Sequence, residues 1–253
     1  MKNKIVMVTG ASAGIGQACA EIFAENGAKL ILLARRKEKL EEFAQLLNTK
    51  YGTESLLIEC DVRSAENVAS ALEIDEKWRK VDVLINNAGL ASGMSKIQDG
   101  DLQDWEAMID TNIKGLLYVS KIVINWMLKE NSGLIINIAS LAGREVYPAG
   151  NVYCATKHAV RALSRAMTMD LNGTGIKVTN LDPGLAETEF SIVRFHGNTE
   201  AAKKVYDGFE PLIGRDVAEA ALFCASRPPH VCIQDILITP VAQASTTMVH
   251  RKI

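Results

Sequence analysis

The stretch IVMVTGASAGIG, residues 5–16, joins an apolar run to a glycine-rich turn. Its first four residues are apolar and mostly β-branched, which is typical of a buried parallel strand. The residues after the turn have apolar positions at helical spacing. A glycine-rich loop between a strand and a helix lets the backbone approach a diphosphate at the helix N-terminus. This context favours dinucleotide binding over an ordinary strand-to-helix turn, and the expected binding residues are Gly10, Ser12, Gly14, Ile15 and Gly16.

The same alternation of strands and helices continues along the chain. Short apolar runs predict strands at Ile5–Val8, Leu30–Leu33, Ser55–Ile58, Val81–Ile85, Leu134–Ile138, Ile176–Asn180 and Asp235–Ile238. Apolar residues at three- and four-residue spacing predict helices at Gly14–Asn26, Glu38–Leu47, Ala65–Trp78, Leu102–Lys129, Val152–Leu171 and Arg215–Ala225. We expect an α/β fold with a doubly wound parallel sheet of about seven strands, a Rossmann fold, and helices on both faces. No linker or repeat divides the sequence, so residues 1–253 are predicted to form a single domain.

Composition and charge exclude several classes of protein. The 253 residues are 48% hydrophobic and 23% charged, which argues against disorder, and the net charge of −2 argues against nucleic-acid or anionic-membrane binding. No apolar run approaches the roughly 18 residues of a membrane span, and the first apolar run is too short for a signal peptide. The five cysteines lack metal or redox spacing, so we expect a reducing, cytoplasmic location.

The end of the second predicted strand carries two arginines where NAD-binding folds place a carboxylate. That acidic residue lies about 20 residues after the glycine-rich turn and binds the ribose 2′-hydroxyl. Here Arg35 and Arg36 occupy the region, and no Asp or Glu occurs from Lys29 to Lys37. The alternative is a solvated helix start, although cations there oppose the helix dipole. Because guanidinium groups attract a 2′-phosphate, to which Ser12 can add a hydroxyl, we predict NADP as the cofactor.

Three side chains in the middle of the chain suggest the chemistry. Ser140 ends the fifth predicted strand, and Tyr153 and Lys157 share one face of the next predicted helix at i, i+4 spacing. A Tyr-x-x-x-Lys pair alone is usually structural. The serine at the carboxyl end of a strand, where doubly wound folds bind ligands, favours a functional site. The four histidines stand apart from one another, so no metal site is predicted.

Motifs along almost the whole chain together resemble the short-chain dehydrogenase/reductase family. They are Thr9–Gly16, Asp61-Val62, Asn86–Gly89, Asn112, Ser140, Tyr153-x-x-x-Lys157 and Pro183-Gly184. The resemblance implies hydride transfer between NAD(P) and an alcohol or carbonyl, with Tyr153 as general acid/base. It implies that Ser140 holds the substrate oxygen, Lys157 binds the nicotinamide ribose and Asn112 anchors a proton-relay water. The cofactor would also contact Asp61, Val62, Asn87, Ala88, Gly89, Tyr153, Pro183, Gly184 and Thr188.

The role implied for Tyr153 has an energetic requirement. A free tyrosine has a pKa of about 10, so action as a base at pH 7 needs a decrease of about three units, near 4 kcal/mol. One ammonium about 4 Å away supplies about 4 kcal/mol at an effective dielectric constant near 20. We therefore expect Lys157 to lower the pKa of Tyr153, with the charge of an oxidised nicotinamide adding to the effect.

Four short stretches resemble, more narrowly, the NADP-dependent 3-hydroxy acid dehydrogenases, which act on serine, threonine stereoisomers and related acids. They are Gly184–Phe190, Val193-Arg194-Phe195, Ser226–Val231 and Val249–Lys252. The family places a substrate lid after Pro183-Gly184, which implies a lid around residues 184–212. Arg194 in this segment is either a surface cation paired with Glu187 or Glu189, or a ligand of the substrate carboxylate.

Other functions remain open at this point. A general carbonyl or 3-oxoacyl reductase of the same family would not need Arg194. A non-catalytic NADP-sensing protein is disfavoured because Ser140, Tyr153 and Lys157 are all present. The partners predicted are a small-molecule substrate and further copies of the chain, since two helices have apolar residues on more than one face. The family pairs these helices, which implies a homotetramer, and the apolar tail Met248–Ile253 is predicted to reach a neighbouring copy.

Overall fold

The computed structural model describes residues 1–252, and its centre is a parallel β-sheet. The strands are β1 (Ile5–Thr9), β2 (Lys29–Ala34), β3 (Ser55–Glu59), β4 (Val83–Asn86), β5 (Gly133–Ile138), β6 (Ile176–Pro183), β7 (Ala186–Glu187), β8 (Leu212–Ile213) and β9 (Asp235–Ile238). Over these residues, seven strands pair in parallel in the order β3-β2-β1-β4-β5-β6-β9. Separately, β7 pairs with β8. All the predicted strands are present, and the doubly wound α/β fold is confirmed.

The helices are α1 (Gly14–Glu25), α2 (Lys37–Tyr51), α3 (Ala65–Ala71), α4 (Leu102–Ile109), α5 (Leu116–Glu130), α6 (Asn151–Asp170), α7 (Phe190–Arg194), α8 (Thr199–Lys204) and α9 (Gly214–Ala225). Short 3₁₀ turns lie at Glu76–Trp78, Ile97–Asp99 and Leu141–Gly143, and a π-helical turn lies at Asp110–Gly115. Within residues 1–252, none of these helices combines the length and the apolar character that crossing a bilayer requires.

Side chains of the central strands alternate between two buried layers. Val6 and Val8 of β1 belong to a cluster with residues of α1, α2 and α9. Ile5 and Met7 belong to a second cluster with residues of α3, α5 and α6. Successive side chains of a strand point to opposite faces, so each face of the sheet is covered by helices.

Two predicted helices differ from the structure. The helix predicted at Ala65–Trp78 ends at Ala71, with Leu72 as its C-cap, and a separate 3₁₀ turn follows, in which the Asp75 carboxylate accepts from the Lys77 N–H. The helix predicted at Leu102–Lys129 contains the π turn, which separates α4 from α5. π turns accommodate an extra residue and occur frequently at functional sites.

The order of the strands determines where the loops meet. From β1 the chain crosses to β2 on one side, and β4 lies on the other side, with Val8 opposite Ile85. At such a switch point the loops at the carboxyl ends of two adjacent strands diverge and leave a crevice. The loop after β1 and the loop after β4 therefore lie side by side.

Candidate active site

A cavity of about 800 Å³ lies along the carboxyl-terminal edge of the sheet. It extends from the glycine-rich turn to α7, α8 and the segment 243–251. It brings together most of the predicted site residues, namely Gly10, Ser12, Gly14, Ile15, Arg35, Arg36, Asp61, Val62, Asn87, Ala88, Gly89, Ser140, Tyr153, Lys157, Pro183, Gly184, Thr188 and Arg194. Gly16 and Asn112 are buried and stand outside this lining set.

The glycine-rich turn is held against the loop after β4. Gly10 has a φ of +65°, and a Cβ at this position would lie 2.9 Å from Asn87 Nδ2. Asn87 Nδ2 donates to the carbonyl oxygens of Thr9 at 3.0 Å and Gly10 at 3.2 Å. Thr9 Oγ1 in turn accepts from the backbone N–H groups of Asn87 and Ala88. The two predicted cofactor loops therefore form one hydrogen-bonded unit, and Gly10 and Gly14 line the cavity beside it.

Positively charged side chains cluster just after the carboxyl end of β2. Arg36 donates through Nε and NH2 to Ser12 Oγ at 3.2 and 3.1 Å, and its NH1 pairs with Glu189 at 2.9 Å. Lys39 reaches the other carboxylate oxygen of Glu189 at 3.3 Å. Arg35 is exposed and lines the same end of the cavity. The predicted arginines are therefore in place with the Ser12 hydroxyl, although Arg36 is already engaged with a carboxylate.

Asp61 is held by its own neighbour on the loop after β3. Both carboxylate oxygens accept from Arg63 Nε at 3.0 Å, and one also accepts from NH2 at 2.6 Å. Hydrogen bonds from Arg63 lower the pKa of Asp61, and the charge of Arg35 adds to the effect. An ionised, fixed carboxylate thus lies beside Val62 on the cavity wall.

Ser140 and Tyr153 face the cavity from neighbouring elements. β5 ends at Ile138, so Ser140 lies beyond the strand and begins a 3₁₀ turn, where its Oγ accepts from the Ala142 N–H at 3.1 Å. Tyr153, in the first turn of α6, is 8% exposed. The ring of Phe190 in α7 contacts it at a centroid distance of 5.5 Å. The phenol is thus enclosed between the sheet edge and α7.

Lys157 is buried one turn further along α6, with 6% of its surface exposed. Its Nζ donates to the Ile138 carbonyl oxygen at 2.9 Å and lies 5.9 Å from the centroid of the Tyr153 ring. Burial lowers the pKa of Lys157 to about 8, and the charge of Asp182 opposes the decrease. The ammonium is therefore held by a backbone carbonyl rather than directed at the tyrosine.

The expected decrease in the pKa of Tyr153 is wrong for the protein alone. Burial raises the pKa of Tyr153, and Tyr147 adds to the increase, while Ser140 and Arg194 oppose it. Removal from water penalises an ionised phenol, as it penalises the charged form of any buried group. In the protein alone, burial therefore outweighs the opposing effects of Ser140 and Arg194 on the pKa of Tyr153.

Asn112 lies in the π turn and is 2% exposed. Its Oδ1 accepts from the Leu90 N–H at 2.9 Å, and its Nδ2 donates to the Leu90 carbonyl at 2.8 Å and to Thr156 Oγ1 at 3.0 Å. A Cβ on Gly89 would lie 3.2 Å from Asn112 Oδ1 and 3.5 Å from Lys157 Nζ. The amide therefore ties the loop after β4 to α6, close to Lys157.

A cluster of arginines and aspartates around the buried Asp182, next to Ser140, was missed by the sequence analysis. Asp182 is fully buried, accepts from the Ser140 N–H at 3.2 Å and pairs with Arg144 Nε at 2.6 Å. Arg144 also pairs with Asp235, at the start of β9. Arginine and aspartate side chains so distant in sequence give no local signal of pairing. Among residues 1–252, no three acidic, histidine or cysteine side chains are arranged to hold a metal ion.

Arg194, the last residue of α7, points into the cavity. Its guanidinium lies 5.3 Å from the Tyr147 ring centroid and 5.8 Å from that of Tyr153. In the described chain, its buried Nε finds no hydrogen-bond partner. Glu189 pairs with Arg36 and Lys39, and within residues 1–252 Arg194 forms no ion pair with Glu187 or Glu189, so the alternative of a surface ion pair is wrong.

The predicted lid region, residues 184–212, is held by hydrogen bonds between residues distant in sequence. Tyr206 Oη donates to the Ala186 carbonyl at 2.9 Å. Arg251 NH2 donates to the Val205 carbonyl at 2.9 Å, and the Lys252 N–H donates to the Gly208 carbonyl at 2.7 Å. The described part of the predicted tail thus packs on the lid of its own chain. Cavity residues missed by the sequence analysis include Lys204, Tyr206, Gln243, Thr246 and Thr247.

Comparison with known proteins agrees with this geometry. The family model for short chain dehydrogenases matches residues 4–198. The chain is 44% identical over 250 residues to the NADP-dependent 3-hydroxy acid dehydrogenase YdfG of Salmonella typhi, covering 98% of this chain and 99% of that protein. It is 41% identical over 254 residues to the NADP-dependent 3-hydroxy acid dehydrogenase of Schizosaccharomyces pombe, covering 100% and 98%.

A solved structure, the closed form of a serine dehydrogenase complexed with NADP+, superimposes with a TM-score of 0.91. It is 41% identical in sequence, and the match covers 98% of this chain and 100% of that chain. Serine dehydrogenase from Escherichia coli superimposes with a TM-score of 0.81 at 38% identity, covering 95% of this chain and 99% of that chain. The resemblance therefore extends beyond the glycine-rich half to the lid.

Proposed function

The chain belongs to the short-chain dehydrogenase family, and we propose that it is an NADP-dependent dehydrogenase of 3-hydroxy acids such as serine or threonine. In the reverse direction it reduces the matching semialdehyde or keto acid. The names of its relatives support this class of substrate. The observation in this chain that carries the proposal is Arg194, a cation inside the cavity with an unused buried N–H among the described residues.

The residues along the sheet edge fit NADP. Gly10 and Gly14 have positive φ values and let the turn before α1 pack closely against Asn87 and Thr188, and the N-terminus of α1 that follows favours a diphosphate. Arg35, Arg36 and Ser12 offer cations and a hydroxyl to a 2′-phosphate. When bound, NADP+ would supply the acceptor for the hydride that leaves C3 of the alcohol. Lys157 would bind its ribose, and Asn87 to Gly89, Asp61, Val62, Pro183, Gly184 and Thr188 would line the cofactor.

Tyr153 is the proposed general base for alcohol oxidation and the general acid for carbonyl reduction. As the C–H bond at C3 breaks, the substrate hydroxyl loses its proton to the phenolate oxygen, and Ser140 holds the substrate oxygen. Burial raises the pKa of Tyr153 in the protein alone, so Lys157 and the positive charge of the oxidised cofactor must together favour the phenolate. Asn112 would anchor the water that passes the proton onward from the region of Lys157.

Arg194 is the proposed ligand of the substrate carboxylate. A 3-hydroxy acid has its carboxyl carbon two bonds from the reacting carbon, so the carboxylate lies near the same wall as the Tyr153 ring. The Arg194 guanidinium is 5.8 Å from the centroid of that ring and 5.3 Å from the centroid of the Tyr147 ring. A buried carboxylate without a cation costs several kcal/mol. The planar guanidinium matches the two oxygens of a carboxylate.

The proposal is tested by following NADP+ reduction with 3-hydroxy acids beside their methyl esters. The esters keep the alcohol and remove the charge, so a dehydrogenase of hydroxy acids turns over the acids much faster. Equal rates with acids and esters would favour a general carbonyl or 3-oxoacyl reductase. Absence of turnover with a broad panel of alcohols, together with tight NADPH binding, would indicate a non-catalytic sensor.

Assembly and location form a second part of the proposal. Met169 on α6 is 61% exposed and Leu117 on α5 is 38% exposed, while Val119, Val123 and Val160 pack beneath their own sheet. The exposed residues support a homotetramer paired through these helices. Buried free thiols such as Cys19 and Cys154 support a reducing, cytoplasmic location.

A further inference from the structure

Glu189 bridges the cofactor side of the cavity and the lid. Its Oε2 accepts from Arg36 NH1 at 2.9 Å, and its Oε1 accepts from Lys39 Nζ at 3.3 Å. Burial opposes ionisation, but the hydrogen bonds and charges of Arg36 and Lys39 hold the pKa of Glu189 below its ordinary range. Glu189 is thus an anion paired with Lys39 and with Arg36, which also donates to Ser12.

The ion pair with Glu189 engages Arg36, the side chain proposed to bind the 2′-phosphate of the cofactor. Arg36 uses Nε and NH2 on Ser12 and NH1 on Glu189, so all three of its nitrogens have partners. A 2′-phosphate carries roughly −1.5 to −2 charges at neutral pH. It must share or replace these partners to bind Arg36, and the carboxylate of Glu189 repels it. The pair is exposed, with 43% and 44% of the two side chains accessible, and exposed ion pairs contribute little to stability.

Glu189 is also joined directly to the substrate side. It is the residue before α7, and its carbonyl oxygen accepts from the Val193 N–H at 3.1 Å. Arg194 is the last residue of the same short helix. Glu189 and Arg194 thus lie at the two ends of one short helix, and the guanidinium at its far end faces Tyr153.

We propose that Glu189 is a specificity-determining residue that occupies Arg36 in the free protein and is displaced by the cofactor 2′-phosphate, which releases the start of α7. This inference rests on the proposed use of NADP and assigns Glu189 a role in how the phosphate is recognised. Because coupling between two sites is reciprocal, a substrate carboxylate on Arg194 affects NADP(H) affinity through the same residue.

The first test measures dissociation constants for NADPH and NADH by fluorescence titration of the wild type and Glu189→Gln. The neutral amide keeps the shape of the side chain and removes the repelling charge, so NADPH binding should tighten about five- to tenfold. NADH binding should change less than twofold. Glu187→Gln is the matched control, because Glu187 is an exposed lid carboxylate and forms no ion pair with residues 1–252. It should alter neither constant.

The pairing with Arg36 is tested by adding Arg36→Met. In that background Glu189→Gln should tighten NADPH binding by a smaller factor than it does when Arg36 is present, because there is no Arg36 to release. Weaker NADPH binding in Glu189→Gln would show that the carboxylate orients Arg36 for the phosphate, and equal changes for both cofactors would show a structural role. Either result overturns the inference. A wild type without NADPH preference would overturn both the inference and the proposed cofactor. A wild type that prefers NADPH and is unaffected by Glu189→Gln would overturn the inference alone.

Release of the lid is measured without nicotinamide by hydrogen exchange of peptides covering residues 189–195. Adenosine 2′,5′-bisphosphate should increase exchange there in the wild type, whereas 5′-AMP, which lacks the 2′-phosphate, should not. In Glu189→Gln the faster exchange should be present before any ligand is added. Exchange that is unaffected by the bisphosphate, or equally affected by 5′-AMP, would contradict the coupling.

Discussion

The two sides of the cavity are built in different ways. On the cofactor side, β1 and β4 are neighbours in the sheet, and Thr9 and Asn87 join the loops that follow them. On the substrate side, β7 and β8 have two residues each, α7 has five and α8 has six. Such short elements are not stable alone. The cofactor side therefore depends on the sheet, whereas the lid depends on individual contacts such as Arg251 with Val205.

The largest expected effect is at Tyr153, where the two sides meet. Tyr153→Phe removes the hydroxyl that exchanges a proton with the substrate and retains the ring that packs on Phe190. Turnover should fall about 10³-fold or more, while the dissociation constant of NADPH should change less than about twofold. Steady-state rates and fluorescence titration measure the two quantities. Turnover above about one tenth of the wild-type rate would contradict the assignment of Tyr153.

The second-largest effect is expected at Arg35 and Arg36 and concerns the cofactor side alone. Replacing Arg35 and Arg36 together by Met should weaken NADP(H) about 100-fold, because each charge-assisted hydrogen bond to phosphate contributes about 1.5–3 kcal/mol. NAD(H) lacks the 2′-phosphate and should be nearly unaffected. Calorimetric titration of both cofactors gives the comparison. An equal loss for both would mean that the arginines maintain the local structure.

A smaller effect, confined to the lid, is expected at Arg194. Arg194→Met should raise KM for 3-hydroxy acids about tenfold, because a charged hydrogen bond contributes about 1.5–3 kcal/mol. Neutral alcohols should react almost as in the wild type. Lys203→Met is a suitable control, because Lys203 is an exposed lid cation outside the set of residues that line the cavity. If acids and neutral substrates are affected alike, Arg194 supports the lid rather than the carboxylate.

The cofactor side was largely predictable from the sequence because its motifs consist of residues that lie close together along the chain. A glycine-rich turn after a strand, and Tyr153 and Lys157 one turn apart, are patterns within a few residues of each other. The sheet then brings these patterns to one edge. The positions of Arg35 and Arg36 follow from the end of β2 in the same way.

For the substrate side, the sequence predicted the position of the lid, around residues 184–212, but not the contacts that hold it. The partner of Glu189 is 153 residues away in sequence, and the contact between Arg251 and Val205 spans 46 residues. Pairs of this kind have no periodicity that a single sequence displays. The pKa of Tyr153 was missed for a related reason, since the expected decrease assumed a charge–charge distance without the penalty of burial.

The smallest expected effect is on the pH dependence of the free energy of unfolding. It tests whether Lys157 stays buried when Arg194 of the lid is replaced. Burial lowers the pKa of Lys157 from 10.5 to about 8. Above pH 8 the folded protein has released this proton, whereas the unfolded chain retains it until about pH 10.5. The unfolded state therefore binds more protons in this window, and the contribution of Lys157 makes the protein more stable as the pH rises.

Between pH 8 and pH 9.5 the free energy of unfolding should therefore rise more in the wild type than in Lys157→Met, by on the order of 1 kcal/mol. Urea denaturation at both pH values measures the difference, and the comparison with Lys157→Met cancels other titrating groups. Arg194→Met should keep the wild-type slope, because Lys157 is held by the Ile138 carbonyl of β5 and not by the lid. Equal slopes in the wild type and Lys157→Met would show that Lys157 is not desolvated. A slope lost in Arg194→Met would show instead that the lid excludes water from Lys157, and the two sides of the cavity would then form one cooperative unit.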